Sequence, residues 1–268
     1  MSRRIARDSN ALAVQPAEVD SLRRGLEILR CFRAGEKSLL LADIVERTKI
    51  PRLTAQKLLN TLTAQHFMRY LPEFDRYEPD VSCFVVGHAL RASLPIIRVA
   101  RPLMLELAGK FDIDVYLALR EDMEMMIIEY CTERKEAGEF RVGTMVPLSR
   151  TAAGRAWLWA QRAAVQGEFI ERIRSEADER ELSVIPGVYR AFQDLAERGY
   201  CFSLGEWMQN WHSIATPLIL AGGRDVLALA AMATGPGSKE IFFRDTVAPA
   251  LVDAALRIKS EMSRTERV

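Results

Sequence analysis

The most chemically suggestive feature of the chain is a stretch that holds cations and no carboxylate. Residues 47–72 contain neither Asp nor Glu, although 36 of the 268 residues are acidic. Such a stretch suits a phosphate backbone, which attracts cations, whereas a carboxylate on the same face would repel it. Its basic residues are Arg47, Lys49, Arg52, Lys57 and Arg69. The pattern indicates nucleic-acid binding, with a chance cluster on a solvated surface as the alternative.

Apolar residues at helical spacing place this stretch on a series of short helices. The first runs from Ser21, its predicted N-cap, to Phe32, and a second fits residues 42–48. Pro51 disfavours helix in the residue before it and starts a helix well. The sequence therefore predicts a third helix over residues 52–65.

Two strands joined by a turn are predicted next, over residues 67–71 and 76–78. Three helices followed by a two-stranded ribbon are the plan of a winged helix-turn-helix domain. The third helix would lie in the major groove of DNA, and the ribbon would contact the adjacent backbone. A small helical packing module without a nucleic-acid partner is the alternative.

Seven residues are candidates for contacts with DNA. Gln56 suits adenine edges, and Lys57 suits guanine or a phosphate. Thr54 and Asn60 also face the groove in this prediction. The remaining cations would hold the phosphate backbone and add little sequence preference. These are Arg52, Arg69 and Arg76.

The rest of the chain predicts a linker and a second domain. We expect a flexible tail over residues 1–18, a winged helix-turn-helix domain over 19–80, a linker helix over 81–97 and a second domain over 98–268. Pro95 is predicted to close the linker helix. The second domain alternates strands and helices, which indicates an antiparallel sheet covered by helices, an α+β fold. Its predicted strands are 115–119, 125–130, 212–220 and 226–234, with an extended piece at 141–147. Its predicted helices are 102–111, 152–161, 167–177, 185–198 and 243–262.

Composition narrows the class of protein. The net charge is only +1, with the first 80 residues at +3 and the rest at −2. The longest apolar run, residues 226–233, is far short of the roughly 20 needed to cross a bilayer. We expect a cytoplasmic protein with reduced cysteines.

No cofactor, metal site or catalytic constellation is predicted, because the three histidines lack metal-ligand spacing and no G-x-S-x-G elbow occurs.

Several blocks, in order and at similar intervals, resemble the IclR family of bacterial transcriptional regulators over about residues 20–260. In the first domain they are SLRRGLEIL (21–29), ADIV (42–45) and IPRLTAQKLLNTL (50–62). In the second they are VGTMVPL (142–148), TAAGRA (151–156), RGY (198–200), SIATP (213–217) and TGP (234–236). The resemblance implies a winged helix joined by a helix to an effector domain with a GAF/PAS-like sheet. It also implies a homodimer or homotetramer that binds operator DNA and controls a catabolic operon.

The sequence departs from the family pattern at four positions. Leu53 stands where the family often has Ser, and Lys57 where it commonly has Arg. Ser149 replaces a common His, and Arg155 replaces the usual Lys. Because Arg and Lys contact base edges differently, the operator sequence is not carried over from the family.

The resemblance also implies nine effector-binding residues. The residues 152–154 open a predicted helix, whose N–H groups and positive dipole end suit a carboxylate. Arg150 would add a charge-assisted bond, and Trp211 and Met232 would supply apolar walls. The expected effector is a small, and possibly aromatic, carboxylic acid. The nine residues are Val146, Arg150, Ala152, Ala153, Ser203, Trp211, Ser213, Met232 and Thr234.

Two other classes of function remain open at this point. One is a small-molecule sensor that acts through protein contacts without specific DNA binding. The other is an enzyme whose helical N-terminal domain only mediates dimerisation. Salt-dependent binding to duplex DNA separates the transcriptional regulator from both.

Overall fold

A computed structural model describes residues 18–33, 35–134, 140–176, 184–220, 226–235 and 239–265. The chain divides into two compact units, one ending at Gly87 and the other starting at His88. This division falls within the segment 81–97 that the sequence predicts as a linker. The predicted tail lies almost wholly outside the described residues.

The first unit is a winged helix. Its elements are α1 (Asp20–Arg30), β1 (Leu39–Leu40), α2 (Leu41–Thr48), α3 (Arg52–Ala64), β2 (Met68–Leu71) and β3 (Arg76–Pro79). The strands form an antiparallel sheet in the order β1-β3-β2. Ile28, Ile44, Leu59 and Met68 are fully buried where the helices meet this sheet. Burial of these side chains supplies the main stabilisation of the unit.

The helices and strands predicted for the first unit are found within two residues of their predicted ends, with two further corrections. Ser21 is not the N-cap, because α1 begins at Asp20 after Val19, with no side-chain cap. The Asp20 carboxylate interacts with the helix dipole and pairs with Arg23 and Arg24, which stabilises this earlier start. Strand β1 was not predicted, since two residues are too few to show an alternating pattern.

Two helices follow the winged helix. Helix α4 (Val81–Ala92) ends five residues before the predicted end of the linker helix at residue 97, and Pro95 begins the next helix instead of only closing this one. Helix α5 (Pro95–Phe111) therefore starts seven residues before the predicted start at Pro102, which lies inside it. Proline is well suited to a first helical turn, where its missing N–H has no partner to lose. Seven buried residues then hold α5 against the core despite the internal proline.

No single helix in the described part of the chain is long and apolar enough to span a membrane. The pair α4 and α5 meets the criteria of length and composition only when the two are taken together as a bent pair.

The second unit is built on one antiparallel sheet of six strands. These are β4 (Asp114–Glu121), β5 (Glu124–Cys131), β6 (Met145–Pro147), β7 (Cys201–Leu204), β8 (Trp211–Ile219) and β9 (Val226–Thr234). Their order across the sheet is β6-β5-β4-β9-β8-β7, and every pair is antiparallel. Because side chains alternate along each strand, the sheet has two apolar faces, each covered by helices.

Each face of the sheet packs on its own helices. Helix α5 and the C-terminal helix α9 (Ala248–Thr265) cover one face, together with a short helical turn and a π-helical segment, Phe243–Val247. Helices α6 (Ala152–Trp159) and α8 (Ile185–Arg198) cover the other face. Helix α7 (Ala163–Glu176) contributes Phe169 and Ile170 to the second core.

The predictions for the second unit hold in outline, with corrections at element ends. Of the extended piece predicted at 141–147, only Met145–Pro147 is a strand, because Gly143 makes a turn with φ of 90°. Helix α7 begins four residues before its predicted start, and β7 was not predicted. The segment between the strands predicted at 212–220 and 226–234 lies outside the described residues.

Candidate functional site

Helix α3 presents a polar face away from the core of the winged helix. Ala55 and Leu59 are fully buried on its inner side. Leu53, Lys57 and Asn60 are exposed on the opposite side, at the i, i+4 and i+7 spacing that aligns side chains along one face of a helix. Thr54 is half-buried at the edge of this face. The exposed face therefore includes two of the four residues predicted to face a groove.

Gln56 instead ties α3 to the wing, which comprises β2, β3 and their turn. Its Nε2 donates hydrogen bonds to the Tyr77 hydroxyl at 2.8 Å and to Oδ1 of Asn60 at 3.1 Å. Bidentate recognition of adenine needs both the donor and the acceptor of the amide. Contact of Gln56 with a base edge stays a prediction, and it requires the Nε2 donor to leave Tyr77.

Three cations near α3 are available to an external anion. The side chains of Lys49, Arg52 and Lys57 are exposed and form no hydrogen bond or ion pair with another described residue. All three belong to the acid-free stretch 47–72. Their charges can therefore interact with phosphate without first breaking an internal pair.

The other cations of the predicted interface have partners within the protein. Arg47 forms a bidentate pair with Glu36 at 2.7 and 2.8 Å. Arg69 pairs with Glu78 across the hairpin, with Nε 2.8 Å from Oε1, and this carboxylate raises the pKa of Arg69. Glu36 and Glu78 lie outside the acid-free stretch in the sequence, yet both contact its cations in the fold.

Arg76 has a structural contact as well. Its Nη1 donates to the Ser38 carbonyl at 2.9 Å, which holds the segment before β1 against the wing. The phosphate contacts predicted for Arg69 and Arg76 stay predictions.

In the second unit, a small cavity lies between β8, β9 and the loop that follows β6. Its volume is about 20 Å³, enough for a single water molecule. Six of the nine predicted effector residues line it: Val146, Arg150, Ser203, Trp211, Ser213 and Met232. The structure thus brings together residues that are up to 86 positions apart in the sequence.

The remaining three predicted effector residues do not line this cavity. Ala152 and Ala153 are buried in the first turn of α6. Thr234 is partly buried at the end of β9 and accepts a hydrogen bond of 3.4 Å from Arg134. Contact of these three residues with an effector stays a prediction.

Sequence reasoning missed five residues that line the cavity: Tyr116, Phe140, Thr151, Trp207 and His212. The Phe140 ring lies 4.4 Å from that of Trp211 and 5.5 Å from that of Trp207, measured between centroids. Phe140 and Trp207 lie in irregular segments, where no periodic pattern indicates which side chains point inward. The alternation along β4 is the one signal that could have found Tyr116.

The loop beside the cavity is fixed by hydroxyl groups. Thr151 caps α6: its Oγ1 donates to the Pro147 carbonyl at 2.8 Å and accepts from the Gly154 N–H at 3.3 Å. Ser213 Oγ accepts from the Ala152 N–H at 3.4 Å, and Ser203 donates to the Arg150 carbonyl at 2.5 Å. Two N–H groups of the predicted carboxylate site therefore hold long bonds to hydroxyls.

The charge at the cavity comes mainly from one side chain. Burial raises the pKa of the Tyr116 hydroxyl, and burial raises the pKa of the nearby Cys201 thiol to about 12. Both groups are neutral near pH 7. Among the described residues that line the cavity, Arg150 alone carries a permanent charge. Arg150 also interacts with another group of the protein, so an anion at this position would have to share its guanidinium.

A buried arginine links the two loops that bear cavity residues. Arg155, on α6, is 1% exposed. Its Nε donates to the Ser149 carbonyl at 2.8 Å, and its Nη1 donates to Oε1 of Glu206 at 2.8 Å. Ser149 precedes Arg150, and Glu206 precedes Trp207. Arg155 therefore positions both loops.

Comparison with known proteins assigns both units. The IclR helix-turn-helix domain model matches residues 21–72, and the model of the bacterial transcriptional regulator IclR C-terminal domain matches residues 88–259. The chain belongs to the IclR family. Members of this family are DNA-binding transcriptional regulators and not enzymes. The alternative of an enzyme with a helical dimerisation domain is therefore excluded.

Individual relatives extend over nearly the whole chain. The HTH-type transcriptional regulator TsaQ1/TsaQ2 of Comamonas testosteroni is 27% identical over 251 residues, which cover 91% of this chain and 88% of that protein. An IclR family transcriptional regulator from Brucella abortus has a crystal structure that superposes with a TM-score of 0.83 at 29% identity, covering 92% of this chain and 95% of its own.

A further structure shares the fold. It is an IclR homologue from Microbacterium hydrocarbonoxydans in complex with 4-hydroxybenzoate, with a TM-score of 0.71 and 19% identity, covering 91% of this chain and 99% of its own. The expected α+β fold, a winged helix-turn-helix domain joined by a helix to an effector domain, is thereby confirmed.

Proposed function

We propose that this IclR-family regulator represses or activates a catabolic operon in the cytoplasm, binding operator DNA with α3 and releasing or engaging it in response to a small carboxylic acid. The exposed face of α3 carries this proposal. Lys57 and Asn60 lie on that face, and beside it lie Lys49 and Arg52, which form no ion pair with a described residue. The winged helix, residues 19–80, serves as the DNA-binding domain.

A second copy of the chain completes the operator-binding form in this proposal. Helix α4 buries no residue and exposes a row of large apolar side chains, among them Phe84, Val85 and Leu90, of which Phe84 is 74% exposed. Such a surface is stabilised when a partner covers it. Two winged helices of a dimer would read half-sites about 34 Å apart on one face of the DNA. Residues 98–268 would bind effector and add oligomer contacts.

The effector belongs to the class of small carboxylic acids, with an aromatic ring favoured. Arg150 supplies the charge for a carboxylate, while Phe140, Trp207 and Trp211 supply aromatic walls. A carboxylate is a stronger acceptor than the hydroxyls that now hold the first N–H groups of α6. The 4-hydroxybenzoate complex of the Microbacterium homologue agrees with this class.

Effector binding requires a more open arrangement of the second unit. A cavity of about 20 Å³ admits a water molecule but not a benzoate. The effector must therefore bind an expanded arrangement more tightly than the one seen here. A difference in affinity between two arrangements is the thermodynamic requirement for regulation of DNA binding by a ligand.

The double variant Lys57→Ala, Gln56→Ala tests the DNA interface. We expect it to lower affinity for the operator about 30-fold, because each lost base-edge contact contributes about 1–3 kcal/mol. Fluorescence anisotropy on the gene's own upstream DNA, with random DNA of equal length and two salt concentrations, measures the effect. Lys110→Ala, which removes an exposed charge from α5, is the control and should bind like the unaltered protein. Unchanged operator affinity in the double variant would show that α3 does not read the DNA.

Arg150→Gln tests the carboxylate site. With 4-hydroxybenzoate as the probe in isothermal titration, we expect about tenfold weaker binding, since a hydrogen bond to a charged group contributes about 1.5–3 kcal/mol. The uncharged 4-hydroxybenzamide should bind the unaltered protein as weakly as 4-hydroxybenzoate binds Arg150→Gln. Its affinity should be the same for both proteins. Arg98→Gln, at an exposed position of α5, is the control. If a panel of aromatic and aliphatic acids binds both proteins equally, Arg150 does not hold the carboxylate.

A further inference from the structure

Leu53 is an apolar side chain in an unusual place. It is 80% exposed, more than any other large hydrophobic side chain among the described residues. It is the second residue of α3, directly after Arg52. A scattered exposed leucine needs no explanation on an ordinary surface, but this one lies on the helix that is proposed to enter the major groove.

The geometry of α3 places Leu53 at the centre of its outward face. At 100° per residue, Leu53 aligns with Lys57 and Asn60 and points away from the buried Ala55 and Leu59. Pro51 is the N-cap of the helix, and the preceding residue, Ile50, is buried in the core of the winged helix. The Leu53 side chain is therefore presented from a fixed backbone.

The surroundings of Leu53 favour DNA over a protein as the partner. Arg52 and Lys57 are exposed beside it and form no ion pair with a described residue. An apolar protein surface would have to cover these two charges without supplying carboxylates for them. A DNA duplex supplies phosphates to the cations at the same time as it presents base edges to the residue between them.

We propose that Leu53 contacts the C5-methyl group of a thymine in each operator half-site and thereby selects T at that position. The inference rests on the proposed binding of operator DNA by α3. The N-terminal residues of a recognition helix contact base edges in the major groove. Leucine has no hydrogen-bonding group, and the thymine methyl is the apolar group that a base pair presents in this groove. A serine at this position, as is frequent in the family, would lack this preference.

Single replacements of thymine by deoxyuridine in the shortest upstream fragment that binds specifically test the proposal, since each removes one methyl group and leaves all hydrogen-bonding groups. We expect the unaltered protein to lose about fourfold in affinity at one position of each half-site. Leu53→Ala should bind the thymine and uracil versions of that site equally. Because Leu53 is exposed, this variant should unfold at the same temperature as the unaltered protein.

Leu22→Ala, which shortens an exposed leucine on α1, is the matched control and should retain the discrimination. Two results would overturn the proposal while leaving operator binding intact. One is a protein that binds the operator specifically yet discriminates at no thymine position, and the other is a Leu53→Ala variant that still discriminates. A chain that shows no preference for any upstream fragment would overturn both this inference and the proposed function.

Discussion

Gly154→Ala is expected to destabilise the second unit by about 3 kcal/mol, because the added methyl group would collide with the backbone of the loop that lines the cavity. A Cβ atom at Gly154 would lie 2.1 Å from the Leu148 carbonyl oxygen and 2.4 Å from the Leu148 Cα. Backbone atoms cannot turn away by changing rotamer. The loop from Leu148 to Arg150 must therefore move as a whole, and the contacts that fix Arg150 beside the cavity move with it.

Chemical unfolding followed by tryptophan fluorescence measures this effect on the second unit alone. All four tryptophans, Trp157, Trp159, Trp207 and Trp211, lie in that unit. Gly167→Ala in α7 is the control, because a Cβ there meets nothing within 4 Å. It should be stabilising by about 0.5–1 kcal/mol, the ordinary gain when alanine replaces glycine inside a helix. Equal unfolding midpoints for Gly154→Ala and the unaltered protein would contradict the close packing of α6 on the loop.

The sequence predicted the winged helix well because its determinants are local. Ala55, Leu58, Leu59 and Leu62 recur at helical spacing, and Pro51 marks where α3 begins. The ion pairs that Arg47 and Arg69 form with Glu36 and Glu78 could not be predicted in the same way. Arg47, near the end of α2, pairs with Glu36, which precedes β1, and no periodic pattern indicates which carboxylate a surface arginine will contact.

The lining of the cavity in the second unit was predicted only in part. Ser213 and Met232 were expected there from the resemblance to the IclR family, and both line the cavity in the structure. Phe140 and Trp207 reach it from irregular segments whose path depends on tertiary contacts. One such contact, between Arg155 and Glu206, joins residues 51 positions apart. Local sequence patterns carry no information about a contact between residues so far apart, so this ion pair was not predicted.

Glu206→Ala should therefore have an effect at least as large as that of Gly154→Ala. Removing the carboxylate leaves the Arg155 guanidinium, 1% exposed, without its anionic partner. Loss of the partner of a buried charge costs about 3–5 kcal/mol, because the charge retains its desolvation penalty and loses the attraction that offset it. Glu206 itself is 34% exposed, which places the expected cost at the lower end of this range. Tryptophan fluorescence during chemical unfolding again gives the change in the free energy of unfolding.

Two controls separate the lost charge pair from lost packing. Glu171→Ala removes the partner of Arg174 from an exposed pair on α7, and its effect should stay below about 1 kcal/mol. The double variant Arg155→Met, Glu206→Leu removes both charges and should recover much of the stability that Glu206→Ala loses. If the double variant is no more stable than Glu206→Ala, the destabilisation arises from packing and not from an unpaired charge.

The same variants connect stability to regulation. Arg155 holds the loop of Ser149 and the loop of Glu206 together, and these loops carry Arg150 and Trp207 at the cavity. An effector of benzoate size would have to enlarge that cavity. Because Arg155 holds both loops, its contacts should oppose their separation. Under the proposed function, the double variant that keeps the fold but lacks the charge pair should bind the probe 4-hydroxybenzoate with a changed affinity, and its operator affinity without effector should change as well. Linkage requires both changes to follow from one shift between the two arrangements.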